Sequence, residues 1–347
     1  MELKSALTAA IERLTTEQVP SPRMNAELLL MFTLSCDRAY LFAHPERELT
    51  EEETACYDEA LGHRVRGVPA QYITGHQEFW GLDLIVGPAV LIPRPETEHL
   101  VETVVRLANG ILVEQGTSDP RRIPPLADPI TPKQALGGPK HASVRDDAFT
   151  VPETQGPSAP LRSARDDSAE ESSAHNERPA PLRIVDVGTG SGAIALALAK
   201  ELPDAEIHAT EVSPAALEVA EANAARLQMQ SRIIFHDGDL LAGLPDQTFD
   251  FVVSNPPYVG DSEEDHVQLE VRKYEPRSAV FAGPSGVEVI ARLVPAAWRA
   301  LKPSGWLVME ISGTIAERVR EMLSGWNEVE ITRDLQNIER VVRARKP

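Results

Sequence analysis

Apolar positions at the start of the chain repeat with a helical period. Leu3, Leu7, Ala10, Ile11 and Leu14 share one face, which predicts a first helix. "SPRMNAELLLMF" predicts a second, with Ser21 as N-cap and Pro22 in the first helical position. Thr50 followed by Glu51, Glu52 and Glu53 is a capping-box pattern, and Leu61 and Val65 continue the third helix it opens. Residues 1–70 therefore read as a helical bundle that leans on its neighbour, because a core of about 70 residues is marginal alone. From residue 71 the period changes. "EFWGLDLIV" places Phe79, Trp80, Leu82, Leu84 and Val86 in an extended run; Gly87-Pro88 then supplies a turn into "AVLIPRPETE", a β-hairpin pattern. A helix is expected from Thr97 to about Val113, which completes a linker unit at 71–115.

From 182 to 347 short apolar runs alternate with helical patterns. "LRIVDVG", "AEIHATEV", "SRIIFHDGD", "FDFVVSNP" and "GWLVMEIS" read as strands; 191–201, 214–228, 286–301 and 314–324 read as helices. Such alternation implies a parallel sheet with right-handed crossovers. "EVEITRDL" and "ERVVRARK" lie too close together for a crossover, so they form a hairpin and one of them runs antiparallel. Between the two patterned regions, residues 116–181 carry eleven prolines, one aromatic residue, ten acids and eight bases. That composition predicts an unstructured insert without chemistry of its own.

Composition narrows the function classes. The chain has 347 residues, 42% of them apolar and 25% charged, the profile of a soluble globular protein. No apolar run approaches the ~20 residues of a membrane span, and the N-terminus lacks the apolar core of a signal peptide. Cys36 and Cys56, both placed in expected helices as half-buried reduced thiols, have no metal-ligand or disulfide spacing. These features point to the cytoplasm. A net charge of −19 argues against a broad hold on nucleic acid but is compatible with a basic protein substrate.

Candidate chemistry collects at the ends of the expected parallel strands. Gly188, Thr189, Gly190, Ser191 and Gly192 form a G-x-G-x-G loop between strand and helix, where the backbone can approach a ligand closely. Asp186, just before it, suits a ligand with an ammonium group or hydroxyls better than a pyrophosphate. Glu211 ends the second strand, 23 residues after Gly188, where an acid in this fold accepts from ribose hydroxyls. Asp239 and Leu240 end the third, with Asp239 placed to take an adenine amine. An adenosine-bearing ligand without phosphates is the consistent choice, which points to S-adenosylmethionine (SAM).

The fourth strand ends in Asn255, Pro256, Pro257 and Tyr258. The prolines fix φ and stiffen the turn. The Asn255 side-chain oxygen and a proline carbonyl offer two fixed acceptors for the two hydrogens of a planar NH2, and Tyr258 offers a face for a conjugated group. An adenine or cytosine amine and a carboxamide all satisfy that description. His266, close by in sequence, reads as an ordinary surface residue.

"QYITGHQEFWGL", "VLIPRPETEHLVE", "VDVGTGSGAIALALA", "VSNPPYV" and "EPRSAVFAGPSG" together resemble the peptide chain release factor glutamine methyltransferases, the PrmC/HemK family. The resemblance covers everything except the insert. It implies a Rossmann-like, seven-stranded SAM-dependent methyltransferase core behind a helical substrate-recognition domain and a β-hairpin linker. It also implies N5-methylation of the glutamine in the GGQ motif of class-1 release factors. By similarity Gly188 to Gly192, Glu211, Asp239, Leu240 and Asn255 line the SAM pocket, Asn255 to Tyr258 hold the substrate amide, and Arg94, Glu96 and Thr97 shape the cofactor mouth. The family more often has Asp at position 211, and some relatives have an aromatic at 240. The expected partner is the release factor itself, with no stable nucleic-acid or membrane association and a monomeric chain.

Overall fold

The computed structural model describes residues 1–114 and 180–347. The expected unstructured insert at 116–181 thus lies outside the described residues, except for its last two positions. The chain opens with five helices, α1 (Leu3–Thr16), α2 (Pro22–Leu34), α3 (Arg38–Ala43), α4 (Glu51–Val65) and α5 (Ala70–Thr74). Leu3, Ala10, Leu14, Leu29, Leu30 and Leu61 fill their common core, and the buried Tyr57 donates its hydroxyl to the Ala26 carbonyl at 2.9 Å. The α4 capping box forms as expected: the Glu53 amide donates to Thr50 Oγ1 and the Thr50 amide to Glu53 Oε2.

Three local expectations are corrected. Ser21 precedes α2 but caps nothing; its backbone is left-handed (φ 50°) and its side chain makes no cap bond. Asn25 closes that end instead, donating to the carbonyls of Pro20 and Ser21. Cys36 lies between α2 and α3 rather than in a helix, and Cys56 is exposed, not half-buried. The hairpin turns seven residues earlier than Gly87-Pro88 suggested. Strands β1 (His76–Phe79) and β2 (Leu82–Ile85) join through Trp80 and Gly81, both at positive φ, in the mirror-image turn whose twist matches paired strands. The expected return segment, rich in prolines without N–H groups, makes no ladder and runs as a loop into a 3₁₀ turn (Pro95–Thr97) and α6 (Glu98–Glu114).

The remainder alternates as its pattern predicts: β3 (Arg183–Val187), α7 (Ala193–Glu201), β4 (Glu206–Glu211), α8 (Pro214–Arg226), β5 (Ile233–Asp237) and β6 (Phe249–Ser254). A small parallel pair, β7 (Val259–Gly260) and β8 (Phe281–Gly283), brackets α9 (Leu269–Tyr274) and α10 (Arg277–Val280). Then come α11 (Glu288–Ala300), β9 (Leu301–Glu310), α12 (Ala316–Met322), β10 (Asn327–Arg333) and β11 (Glu339–Arg345). The main sheet has seven strands in the order β10-β11-β9-β6-β3-β4-β5. β3, β4, β5, β6 and β9 are parallel, and β11 pairs antiparallel with both β9 and β10. This is the Rossmann-like, seven-stranded architecture expected.

Alternate side chains of the central strands feed two cores. Ile184, Phe251, Val253 and Val308 pack with α6, α7 and the hairpin; Val185, Val252, Leu307 and Met309 pack with α11 and α12. The hairpin is fastened to the core by Arg226, which pairs with Asp83, by Trp80, which donates to Glu201, and by a buried amide on α8. Asn223, fully buried on the alanine-lined face of α8, accepts from the Ile85 amide at 2.7 Å. It donates to the carbonyls of Ile85 at 3.0 Å and Ser191 at 2.9 Å. Asn223→Ala should therefore cost about 1–3 kcal/mol of stability, since it strands the buried Ser191 carbonyl and the half-buried Ile85 amide and carbonyl. Urea denaturation checks this; a loss below about 0.5 kcal/mol would mean the clamp is dispensable.

Candidate active site

Parallel strands place their C-terminal ends on one edge of a sheet, and five of them here deliver polar groups to it. The β3 end carries the glycine loop. Gly188, Gly190 and Gly192 all have positive φ, but they serve different ends. A Cβ on Gly188 or Gly190 would meet nothing within 4 Å, so that face is open to a ligand. A Cβ on Gly192 would lie 3.2 Å from Leu196 and 3.3 Å from Ala220, so this glycine seats α7 against α8. Thr189 and Ser191 are buried between them.

Glu211 closes the loop from the β4 end. Its Oε2 accepts from the Gly190 amide at 2.9 Å, and its Oε1 from the amides of Val212 and Ser213, each at 3.0 Å. Oε2 retains a lone pair for a hydroxyl. Asp186 lies fully buried beneath the loop, its Oδ2 accepting from the Thr189 hydroxyl at 2.6 Å. Its Oδ1 is buried without a hydrogen-bond partner. Burial pushes the Asp186 carboxyl up to about 7; the Thr189 hydroxyl and Ala195 amide oppose this, and the Glu211 charge adds to it. Asp239, by contrast, is exposed and paired with Arg292, and Leu240 is half-buried against the α11 side of the core.

The β6 end carries the tetrapeptide. Pro256 is buried, and Asn255, Pro257 and Tyr258 are half-buried. Asn255 Nδ2 donates to Thr97 Oγ1 at 3.2 Å, and the Thr97 hydroxyl donates to Glu310 Oε2 at 2.7 Å. The Tyr258 hydroxyl donates to Glu310 Oε1 at 3.0 Å. Burial and the Glu310 charge hold the Tyr258 phenol well above its ordinary range, so it remains a donor. The chain packs tightly behind this turn: a Cβ on Gly286 would fall 2.7 Å from the Tyr258 carbonyl oxygen. His266 is exposed.

Arg94 and Glu96 divide from Thr97 in role. Arg94 pairs with the buried Glu275, which also accepts from the Ile92 amide at 3.1 Å. Glu96 is half-buried. The segment around Glu275 also reaches the helical bundle. Arg64 pairs with Glu270 at 2.8 Å, and the Tyr274 hydroxyl donates to the Arg66 carbonyl at 2.7 Å. The chain after the tetrapeptide is thus bonded both to the loop that carries Thr97 and to α4.

Two family models match the chain, the PrmC N-terminal domain over residues 5–75 and the methyltransferase small domain over residues 174–272. A release factor glutamine methyltransferase of Koribacter versatilis (strain Ellin345) is 44% identical over 348 residues, covering 100% of this chain and 99% of that protein. The chain belongs to the release factor glutamine methyltransferase family. Further members from Moorella thermoacetica (strain ATCC 39073 / JCM 9320) and Rhodopirellula baltica (strain DSM 10527 / NCIMB 13988 / SH1) are 34% and 32% identical, over 93% and 94% of this chain and 89% and 90% of theirs.

For a release factor glutamine methyltransferase the edge is chemically apt. The open face at Gly188 and Gly190, the partnerless Asp186 Oδ1 and the spare lone pair on Glu211 suit a SAM molecule with its ammonium and ribose hydroxyls. The structure groups Gly188 to Gly192, Glu211, Asn255, Pro256, Pro257, Tyr258 and Thr97 along one edge; Asp239 and Leu240 follow β5 at the same edge, where Asp239 is exposed and pairs with Arg292. Sequence reasoning passed over Glu310, Asn223 and Glu275. Glu310 was legible as the one acid inside "GWLVMEIS", and Asn223 as the one polar residue on an alanine-lined helical face. Glu275 opens the "EPRSAVFAGPSG" motif, but nothing in that motif gave it a role.

With the SAM ammonium group beside Asp186, SAM binding would depend on pH. The folded pKa of Asp186 is raised, so the stability tied to its neutral form is full below the ordinary carboxylate value and is lost as pH rises through about 7. An ammonium group beside it favours the ionised form, so binding below that pH must expel a proton. SAM affinity should fall as pH drops below about 7, approaching tenfold per unit. Calorimetric titrations in buffers of different ionisation heat would register the released proton; a flat affinity from pH 5.5 to 8 would remove Asp186 from the site.

Proposed function

We propose that this protein transfers a methyl group from SAM to the N5 side-chain nitrogen of the glutamine in the GGQ motif of class-1 peptide chain release factors. The single observation that carries the reading is the Asn255–Tyr258 turn at the same sheet edge as the glycine loop and Glu211, with the Asn255 amide already anchored through its NH2. In this reading Gly188 to Gly192, Glu211, Asp239, Leu240 and Asn255 hold SAM, which supplies an electrophilic methyl on a sulfonium.

The chain's own residues do the remainder. With Nδ2 donated to Thr97, Asn255 turns Oδ1 outward as an acceptor. That oxygen and a carbonyl of the rigid proline pair bind the two hydrogens of the substrate carboxamide. An amide nitrogen is a poor nucleophile because its lone pair is delocalised. Acceptors on both hydrogens favour the more tetrahedral, more positive nitrogen of the transition state over the planar ground state. Tyr258 supports the flat amide, and its phenol, bonded to Glu310, is fixed in place. No strong base is needed beforehand, since the nitrogen loses its proton readily only as it becomes alkylated. The helical bundle, fastened to the segment after the tetrapeptide through Arg64 and Tyr274, would grip the release factor away from the reacting amide.

Incubation with SAM and purified release factor, ribosomal protein or DNA, followed by mass measurement, separates the possible acceptors. One added methyl on the release factor is expected. Methylation of DNA or ribosomal protein in its place would assign the turn to another NH2 group.

A further inference from the structure

The geometry points to Glu310 as a positioning residue that, acting through Thr97, dictates which end of the Asn255 side-chain amide faces the substrate. The inference rests on Asn255 being the acceptor for the substrate amide, as proposed above. An amide can lie either way round in a pocket of this shape; only its hydrogen-bond partners decide. Glu310 ends β9, parallel to β6, so its carboxylate arrives at the same edge as Asn255. It is 1% exposed and receives two hydroxyls, Thr97 on Oε2 and Tyr258 on Oε1. In its ionised form, which the Thr97 and Tyr258 hydroxyls and the Arg340 charge favour against the effect of burial, Glu310 can only accept. The single hydrogen of the Thr97 hydroxyl is therefore committed to Glu310, and Thr97 Oγ1 presents only lone pairs to Asn255. The Asn255 NH2 must meet them, and Oδ1 is left pointing outward. Reversing the amide would set two oxygens against each other and present a donor to the NH2 of the substrate. The same carboxylate holds the Tyr258 hydroxyl, so one buried charge orients both polar groups of the tetrapeptide.

Burial raises the Glu310 pKa above the ordinary range. The Thr97 and Tyr258 hydroxyls and the Arg340 charge work in the opposite direction, and Glu96 adds to the rise. The network also explains why position 255 holds an amide rather than an acid. A carboxylate in place of the Asn255 amide would need the Thr97 hydrogen that Glu310 already has.

Glutamine at position 310 reverses the relay. Its NH2 can donate to Thr97, whose hydrogen is then free to donate to Asn255 Oδ1 and turn the amide over. Methyl transfer to purified release factor, with SAM affinity by calorimetry and thermal midpoints, tests this across Glu310→Gln, Thr97→Val, Thr97→Ser, Asn255→Asp and the double variant Asn255→Asp/Glu310→Gln. Glu310→Gln and Thr97→Val should lower kcat roughly 10- to 100-fold, with KM and SAM affinity within about threefold of wild type. Thr97→Ser, which keeps the hydroxyl, should stay within about threefold. The double variant should exceed Asn255→Asp alone by about tenfold, because Thr97 can then donate to the acid. A loss confined to stability could not produce that rescue. Wild-type kcat in both Glu310→Gln and Thr97→Val, or no gain in the double variant, would overturn the assignment. If Glu310→Gln fails to fold, Thr97→Val and Thr97→Ser still decide it. An absence of transfer by the wild-type protein would sink the glutamine reading itself, and the positioning role with it.

Discussion

Asn255→Ala should lower methyl transfer by roughly 100- to 1,000-fold while SAM binding changes by less than about fivefold. The size follows from what the side chain does. Asn255 contributes one of two acceptors that favour the developing positive nitrogen, and this contribution is larger in the transition state than in the bound substrate. The loss should therefore fall on kcat. SAM affinity should survive because the groups that fit its ammonium and ribose, Asp186 and Glu211, hang on β3 and β4 and are held by Thr189, Gly190, Val212 and Ser213. Single-turnover rates at saturating SAM separate the two effects. A rate near wild type would remove Asn255 from the chemistry.

Glu211→Ala should do the reverse, weakening SAM binding by roughly 100-fold with a smaller effect on the rate at saturation. The carboxylate accepts three backbone amides and ties the glycine loop to the start of α8. Alanine leaves those amides unpaired, frees the loop and removes the acceptor proposed for ribose hydroxyls. Both the free and the bound state suffer, so the thermal midpoint should drop even without ligand. Isothermal titration measures the affinity; a dissociation constant within about threefold of wild type would mean that Glu211 only shapes the loop.

Strand and helix content in the second half was readable because short apolar strand runs alternate with longer helical stretches between glycine- and proline-marked turns. Ile184, Val185, Phe251 and Val252 alternate between the two cores, and the loops between elements fall where glycine and proline do. The hairpin was misplaced because Trp80 looks like a strand residue and sits instead at positive φ in the turn, a conformation fixed by strand pairing on either side. Ser21 has the right residue type for a cap, but its backbone geometry and Asn25 decide otherwise. The ligand-facing edge was legible because the topology lines up strand ends. Glu310 was missed for a related reason: it ends a strand that the chain reaches 55 residues after Asn255, and only sheet pairing shows that the two are neighbours. Thr97 likewise waits for the fold to reveal that a residue of the linker orients a residue of the catalytic turn.

The central claim is that the reacting atom is a glutamine amide nitrogen. It is tested most directly by fragmenting the methylated release factor and locating the added group. A single methyl on the side-chain nitrogen of the GGQ glutamine, absent when Asn255 is alanine, is the expected result. A methyl on any other residue, or an equal yield from the Asn255→Ala protein, would contradict it.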